Sequence, residues 1–223
     1  MNYKAVLFDL GGTLVKTAEI PEIYRRILEI YGVKVTANQI LEAHKANENN
    51  VDALEGQLKM GKQFWDKWNQ TVVESIGIQQ NSRFLGERIS ELWWDYADLT
   101  LYPDVEETLI ILKSKGIKIG IVTNGFRYDY EQILEKLGLS DQFEVVVGAD
   151  TCNCGKPDTE IFLYAVDKLG LEPGEVVFVG NEYRYDYLGA TRAGLKPLMI
   201  DREDKISENV DVIKSLTDIL NYF

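Results

Sequence analysis

Asp9 is the first residue of the chain placed to do chemistry. It closes the apolar run Lys4-Ala5-Val6-Leu7-Phe8, and Gly11, Gly12 and Thr13 follow it at once. A carboxylate can attack phosphorus or an alkyl carbon and form an aspartyl intermediate, which divides one hard step into two easier ones. The glycines let the backbone turn tightly enough for its amides to meet an anion. Three later segments carry complementary groups: Thr123-Asn124-Gly125, Gly155-Lys156-Pro157-Asp158, and Asn181-Glu182 with Asp186 beyond them. The Thr123 hydroxyl can donate to a substrate oxygen, and the Lys156 ammonium can offset the charge of Asp9 and of a transferring group. Taken singly, each has a plainer reading. Thr123-Asn124-Gly125 is then a simple turn, Lys156 a solvated loop lysine, and Asp186 a surface helix residue.

Such segments need a scaffold that brings them together. The run before Asp9 has the length and continuity of a strand buried on both faces, and so do Ile117 to Val122, Phe143 to Val147 and Val176 to Val179, with a weaker run from Pro197 to Ile200. Helical patterns lie between them: Val105 to Lys115, Tyr130 to Leu137 and Ile161 to Leu169, each stopped by a glycine at 116, 138 or 170. Strand–helix alternation predicts a Rossmann-like parallel sheet with right-handed crossovers, a three-layer α/β/α core. Ligands bind at the carboxyl edge of such sheets, and all four chemical segments fall on that edge. From Lys16 to about Asp98 the alternation stops. Four helices read there, Ile20 to Tyr31, Ala37 to Ala53, Gln63 to Ile76 and Ser82 to Tyr96, with no strand run among them. The expected domains are therefore a core of residues 1–15 plus 100–223 and a helical module of residues 16–99.

Composition narrows the function classes. A chain of 223 residues can bury about 70% of its unfolded surface and needs no disulfide or structural metal for stability. Its net charge of −12, with no Lys/Arg run, argues against nucleic acid or an anionic membrane as partner. No apolar stretch approaches the roughly 18 residues of a membrane span, and no signal peptide is read before the first strand, so the expected location is cytoplasmic. Cys152 and Cys154 are two ligands only, far in sequence from His44, the single histidine, and read as reduced loop thiols. Oligomeric state is left open.

In order and spacing, "FDLGGTL", "TNG", "GKPDTEIF" and "VFVGN…D…GATRAGL" resemble motifs I to IV of the haloacid dehalogenase (HAD) superfamily, in its helical-capped subgroup. The resemblance covers about residues 1–15 and 100–202, and it implies that the helical module is a cap. It implies a Mg²⁺-dependent hydrolase of a small phosphomonoester, with Asp9 as nucleophile and Lys156 as its catalytic partner. It also implies substrate contacts from Gly12, Thr13, Thr123, Asn124 and Gly125. The metal would take the Asp9 carboxylate, the Gly11 carbonyl, Asn181 or Glu182, and Asp186.

The pattern departs from that family twice. Most family phosphatases carry a second aspartate where this chain has Gly11. Such a general acid contributes about 10²–10⁴-fold. Asn181 stands where an aspartate is usual, and the adjacent Glu182 offers a carboxylate in its place. Three readings stay open: a phosphatase, a 2-haloacid dehalogenase that needs neither acid nor metal, and a degenerate site that binds without turnover. Against the dehalogenase, Leu41-Glu42-Ala43-His44-Lys45 offers no copy of the expected substrate-binding arginine. The segments Phe126-Arg127-Tyr128 and Tyr183-Arg184-Tyr185-Asp186-Tyr187 flank the predicted edge and read as a substrate wall, a partner surface, or packing. Phe64, Trp65 and Trp68 fall at helical-face spacing and read as core.

Overall fold

A computed structural model describes residues 3–50, 52–202 and 204–223. The strands are β1 (Ala5–Phe8), β2 (Val15–Lys16), β3 (Thr100–Leu101), β4 (Lys118–Val122), β5 (Val145–Val147), β6 (Val176–Gly180), β7 (Lys196–Ile200) and β8 (Val212–Ile213). The α-helices are α1 (Ile20–Ile30), α2 (Ala37–Glu48), α3 (Ala53–Met60), α4 (Gln63–Ser75), α5 (Ser82–Tyr96), α6 (Val105–Ser114), α7 (Arg127–Lys136), α8 (Ala149–Cys152), α9 (Thr159–Leu169) and α10 (Leu188–Arg192). They fall into two compact units, one of residues Met1–Lys16 with Thr100–Phe223, the other of Thr17–Leu99.

The first unit carries a six-stranded sheet in the order β5-β4-β1-β6-β7-β8, every pairing parallel. This is the expected Rossmann-like architecture. All residues of β1 and β6 are buried, as continuous apolar strands covered on both faces must be. Phe162 of α9 meets Phe178 of β6 edge-on with ring centroids 5.0 Å apart, within a cluster that also holds Leu7, Ile161 and Val166. The sheet gains one strand that no apolar run announced. β8 is only two residues long and pairs with Met199 and Ile200 of β7. The expected strand from Phe143 shortens to Val145–Val147; at Glu144 the backbone amide donates to the Ile119 carbonyl at 2.9 Å, and the side-chain carboxylate accepts from the Ile119 amide at 2.8 Å. β2 and β3 form a small antiparallel pair, Val15 with Leu101 and Lys16 with Thr100.

The second unit is helical throughout its described residues. Its core gathers Ile23, Tyr24, Ile27, Leu28, Ile40, Val72, Val73 and Ile89, all essentially without exposure. Trp68 is buried among them, with Trp65, Trp93 and Trp94 packed partly buried at the edge. The helix read from Ala37 to Ala53 stops at Glu48 as α2, and a further, unexpected helix, α3, begins at Ala53 behind Asp52, whose carboxylate accepts from the Glu55 amide at 2.9 Å. An N-capping aspartate satisfies one of the free first-turn amides and so favours a fresh start there.

Candidate active site

Asp9 stands one residue beyond β1, yet its amide still donates to the Val179 carbonyl at 2.9 Å. Thr123 is held likewise beyond β4, through the Val147 carbonyl at 2.9 Å. The ladder thus fixes both backbones at the carboxyl ends of their strands. Lys156 arrives by another route. Both polar atoms of the Asn124 side chain engage its backbone, Oδ1 accepting from the Lys156 amide at 2.6 Å and Nδ2 donating to the Lys156 carbonyl at 3.1 Å. The Thr123 hydroxyl accepts from the Gly125 amide at 3.1 Å and closes the turn.

So directed, the Lys156 ammonium donates to Asp9 Oδ1 at 2.5 Å and to Asp186 Oδ1 at 2.6 Å. Relative exposures are 3% for Lys156, 7% for Asp9 and 1% for Asp186, so one buried cation lies between two buried carboxylates. Burial drives the Asp9 carboxyl up to about 6; Lys156 pulls it down, and the Asp186 charge pushes it up again. Burial works against the Lys156 ammonium, but Asp9 and Asp186 together outweigh it and raise its pKa.

The second oxygens of the two carboxylates have different company. Asp186 Oδ2 accepts from the Glu182 amide at 2.9 Å, so both oxygens of Asp186 are engaged. The Glu182 side chain is exposed. Asp9 Oδ2 accepts from the Thr13 hydroxyl at 3.3 Å, and the Asn181 amide sits beside it. That amide lies 3.1 Å from the Gly11 carbonyl, 3.3 Å from Asp9 Oδ2 and 3.2 Å from the Thr13 hydroxyl. With its nitrogen turned inward it donates to all three. With its oxygen inward it accepts from the Thr13 hydroxyl at 3.2 Å and faces the Gly11 carbonyl and Asp9 Oδ2 across a gap that would suit a cation. Oxygen donors of this kind suit a hard divalent cation that keeps part of its water shell. No group of three His, Cys, Asp or Glu side chains converges on a metal position among the described residues. Asp186 faces Lys156 in this structure, not that gap.

Two glycines are required by this packing. Gly12 has φ +78°, and a Cβ there would come within 2.6 Å of the Asn181 amide. A Cβ on Gly180 would come 2.3 Å from the Asp186 carboxylate. Gly11 differs: a Cβ there would meet nothing within 4 Å.

The aromatic segments stack mainly on themselves. Residues Tyr183–Tyr187 wind as one π-helical turn that sends Asp186 inward and leaves Tyr185 exposed. The Tyr183 and Tyr187 rings stack at 5.8 Å, and Phe126 meets Tyr128 at 6.1 Å. The thiols of Cys152 and Cys154 are free, with sulfurs 3.0 Å apart. Burial above all pushes the Cys154 thiol up to about 12.

One supporting cluster left no trace in the sequence motifs. Arg202, just past β7, donates to the Thr13 carbonyl at 2.9 Å and to both oxygens of Asp104 at 2.9 and 3.0 Å. Its guanidinium lies 3.8 Å from the Tyr102 ring centroid, and Asp104 also accepts from the Ser215 hydroxyl and the Leu216 amide. Four distant stretches meet here, and none has a local pattern that announces it.

Comparison with known proteins bears on what this geometry does. A family model for haloacid dehalogenase-like hydrolases matches residues 3–194. The glyceraldehyde 3-phosphate phosphatase of Methanothermobacter thermautotrophicus is 28% identical, over 97% of this chain and 93% of its own length. That of Methanopyrus kandleri is 30% identical, over 89% of this chain and 84% of its own. Among solved structures, a HAD phosphatase from Thermococcus onnurineus is 29% identical, with a TM-score of 0.66 over 98% of this chain and 96% of that one.

Proposed function

Because the chain belongs to the haloacid dehalogenase-like hydrolase family, we propose that it is a phosphatase that works through an aspartyl-phosphate on Asp9. One observation carries the reading: the Lys156 ammonium bridges Asp9 and Asp186 at the carboxyl edge of the sheet, beside the turn at Gly11 to Thr13. The phosphatase names of its relatives agree with it.

In this reading Asp9 Oδ2 attacks phosphorus while Lys156 holds Oδ1 and orients the carboxylate. The amides near Gly12 and Thr13, the Thr123 hydroxyl and the Asn124-Gly125 turn receive the phosphoryl oxygens. Asp186 keeps Lys156 charged and pointed at Asp9. The Asp9 carboxylate, the Gly11 carbonyl and the Asn181 amide oxygen would hold Mg²⁺, with Glu182 next in sequence; Asp186, whose oxygens are taken by Lys156 and the Glu182 amide, would join only by exchanging one of those bonds. When bound, that ion would neutralise charge on the transferring group. The sheet-bearing unit (1–15 with 100–223 in the reading above) is then catalytic, and the helical unit is the cap that selects the substrate, a small phosphorylated molecule handled in the cytoplasm. No helix among the described residues is long and apolar enough to cross a membrane.

The test is release of phosphate from p-nitrophenyl phosphate with and without Mg²⁺, in the wild type and in Asp9→Asn. Mg²⁺-dependent release that disappears in the variant is the expected result. Halide release from 2-haloacids in the presence of a chelator, with no phosphate release, would point to a dehalogenase instead.

A further inference from the structure

We propose that the substrates are phosphate esters and anhydrides whose leaving oxygen is stable as an anion, namely acyl, enol or aryl phosphates, and not alkyl phosphates. This rests on the phosphatase reading and narrows it. Transfer to Asp9 forms a bond between a carboxylate oxygen and phosphorus and breaks the bond to the leaving oxygen, which departs with the electron pair. An alkoxide is too basic to depart so, and it needs a proton as the bond breaks. A placed acid contributes about 10²–10⁴-fold to such a step.

Among the described residues, none of the groups shown bonded to or beside the Asp9 carboxylate is such an acid. The groups bonded to or beside its carboxylate are the Lys156 ammonium, the Thr13 hydroxyl and the Asn181 amide. Lys156 is committed to two carboxylates. A hydroxyl and an amide are not acids at neutral pH. Residue 11, two along from the nucleophile, is a glycine, and apart from its two chain neighbours no residue places a heavy atom within 4 Å of where its Cβ would stand. An acyl, enol or aryl oxygen requires none, because it leaves as a delocalised anion. In the second step water attacks phosphorus, the bond from phosphorus to Asp9 breaks, and the carboxylate is regenerated. Both hydrogens of the water leave on the product as dihydrogen phosphate, so this step balances without a protein acid.

A series of ring-substituted phenyl phosphates tests the proposal at nearly constant shape, with acetyl phosphate and glycerol phosphate as the extremes. In the wild type kcat/KM should fall steeply as the leaving group becomes more basic, and glycerol phosphate should lie about 10²–10⁴-fold below p-nitrophenyl phosphate. Gly11→Asp, which the open space accommodates, should flatten that slope and improve the alkyl ester most. A flat slope in the wild type overturns the proposal alone. Absence of phosphate release from every compound, acetyl phosphate included, overturns it together with the phosphatase reading. A steep slope that persists unchanged in folded Gly11→Asp also overturns it, since the missing acid would not be its cause. Should the variant fail to fold, the wild-type series decides.

Discussion

At the scale of single residues, the site is a problem in burying charge. Two carboxylates and one ammonium lie out of water at distances of 2.5 and 2.6 Å, which leaves one negative charge uncompensated. The raised pKa of Asp9, about 6, follows chiefly from that burial. Only the ionised form is a nucleophile, so turnover should rise as pH climbs through about 6; a rate unchanged between pH 5 and 7 would contradict this. The same shift sets stability. The folded-state value lies above the unfolded one, so Asp9 stabilises fully below about pH 4, and this contribution is lost as pH rises through about 6. Asp9→Asn should therefore be inactive yet more stable near pH 8, by at most about 3 kcal/mol because Lys156 loses a partner, with the gain fading toward pH 4. Denaturant melts at the two pH values check the sign. Lys156→Met should cost about 3–5 kcal/mol, since two buried carboxylates lose their counter-charge. The loss should be larger at pH 8 than at pH 5, where protonation of Asp9 relieves one of the two charges.

At the scale of elements, the strands deliver Asp9 and Thr123 by ladder bonds, whereas side chains hold the loops. Asn124 grips both sides of the Lys156 backbone, so Asn124→Ala should cost about 1–3 kcal/mol and lower kcat as the ammonium drifts. Asn124→Asp keeps one contact only and should fall between. Gly180→Ala places a methyl on the Asp186 carboxylate, and should lower turnover out of proportion to any fall in melting temperature. This scale also shows what a sequence can and cannot convey. The buried strands and the glycine stops were legible because the sheet core imposes a continuous apolar run and αL caps impose glycine. The stop of α2 at Glu48 and the start of α3 at Ala53 were not, since the capping Asp52 follows a stretch already rich in polar residues. β8 escaped because two residues carry no periodicity.

At the scale of the whole molecule, the sheet gathers residues 9, 123, 156 and 186 at one edge. That convergence followed from strand order alone and could be read from where the strands end. The partners of those residues could not. The Arg202–Asp104 pair reaches the Thr13 carbonyl from far along the chain, and the Asn124 side chain turns to the Lys156 loop instead of to open space. Long-range polar contacts have no period, so only coordinates disclose them. A cation held by Asp9, the Gly11 carbonyl and Asn181 would bind the folded protein alone, so Mg²⁺ should raise the melting temperature of the wild type and leave Asp9→Asn unmoved. The identity of the nucleophile is tested most directly by quenching the enzyme during turnover of acetyl phosphate, reducing the trapped acyl phosphate with borohydride, and locating the modified residue by peptide mass spectrometry. Modification of Asp9, absent without substrate, is the predicted result. Steady turnover with Asp9 unmodified, and surviving in Asp9→Asn, would contradict the account.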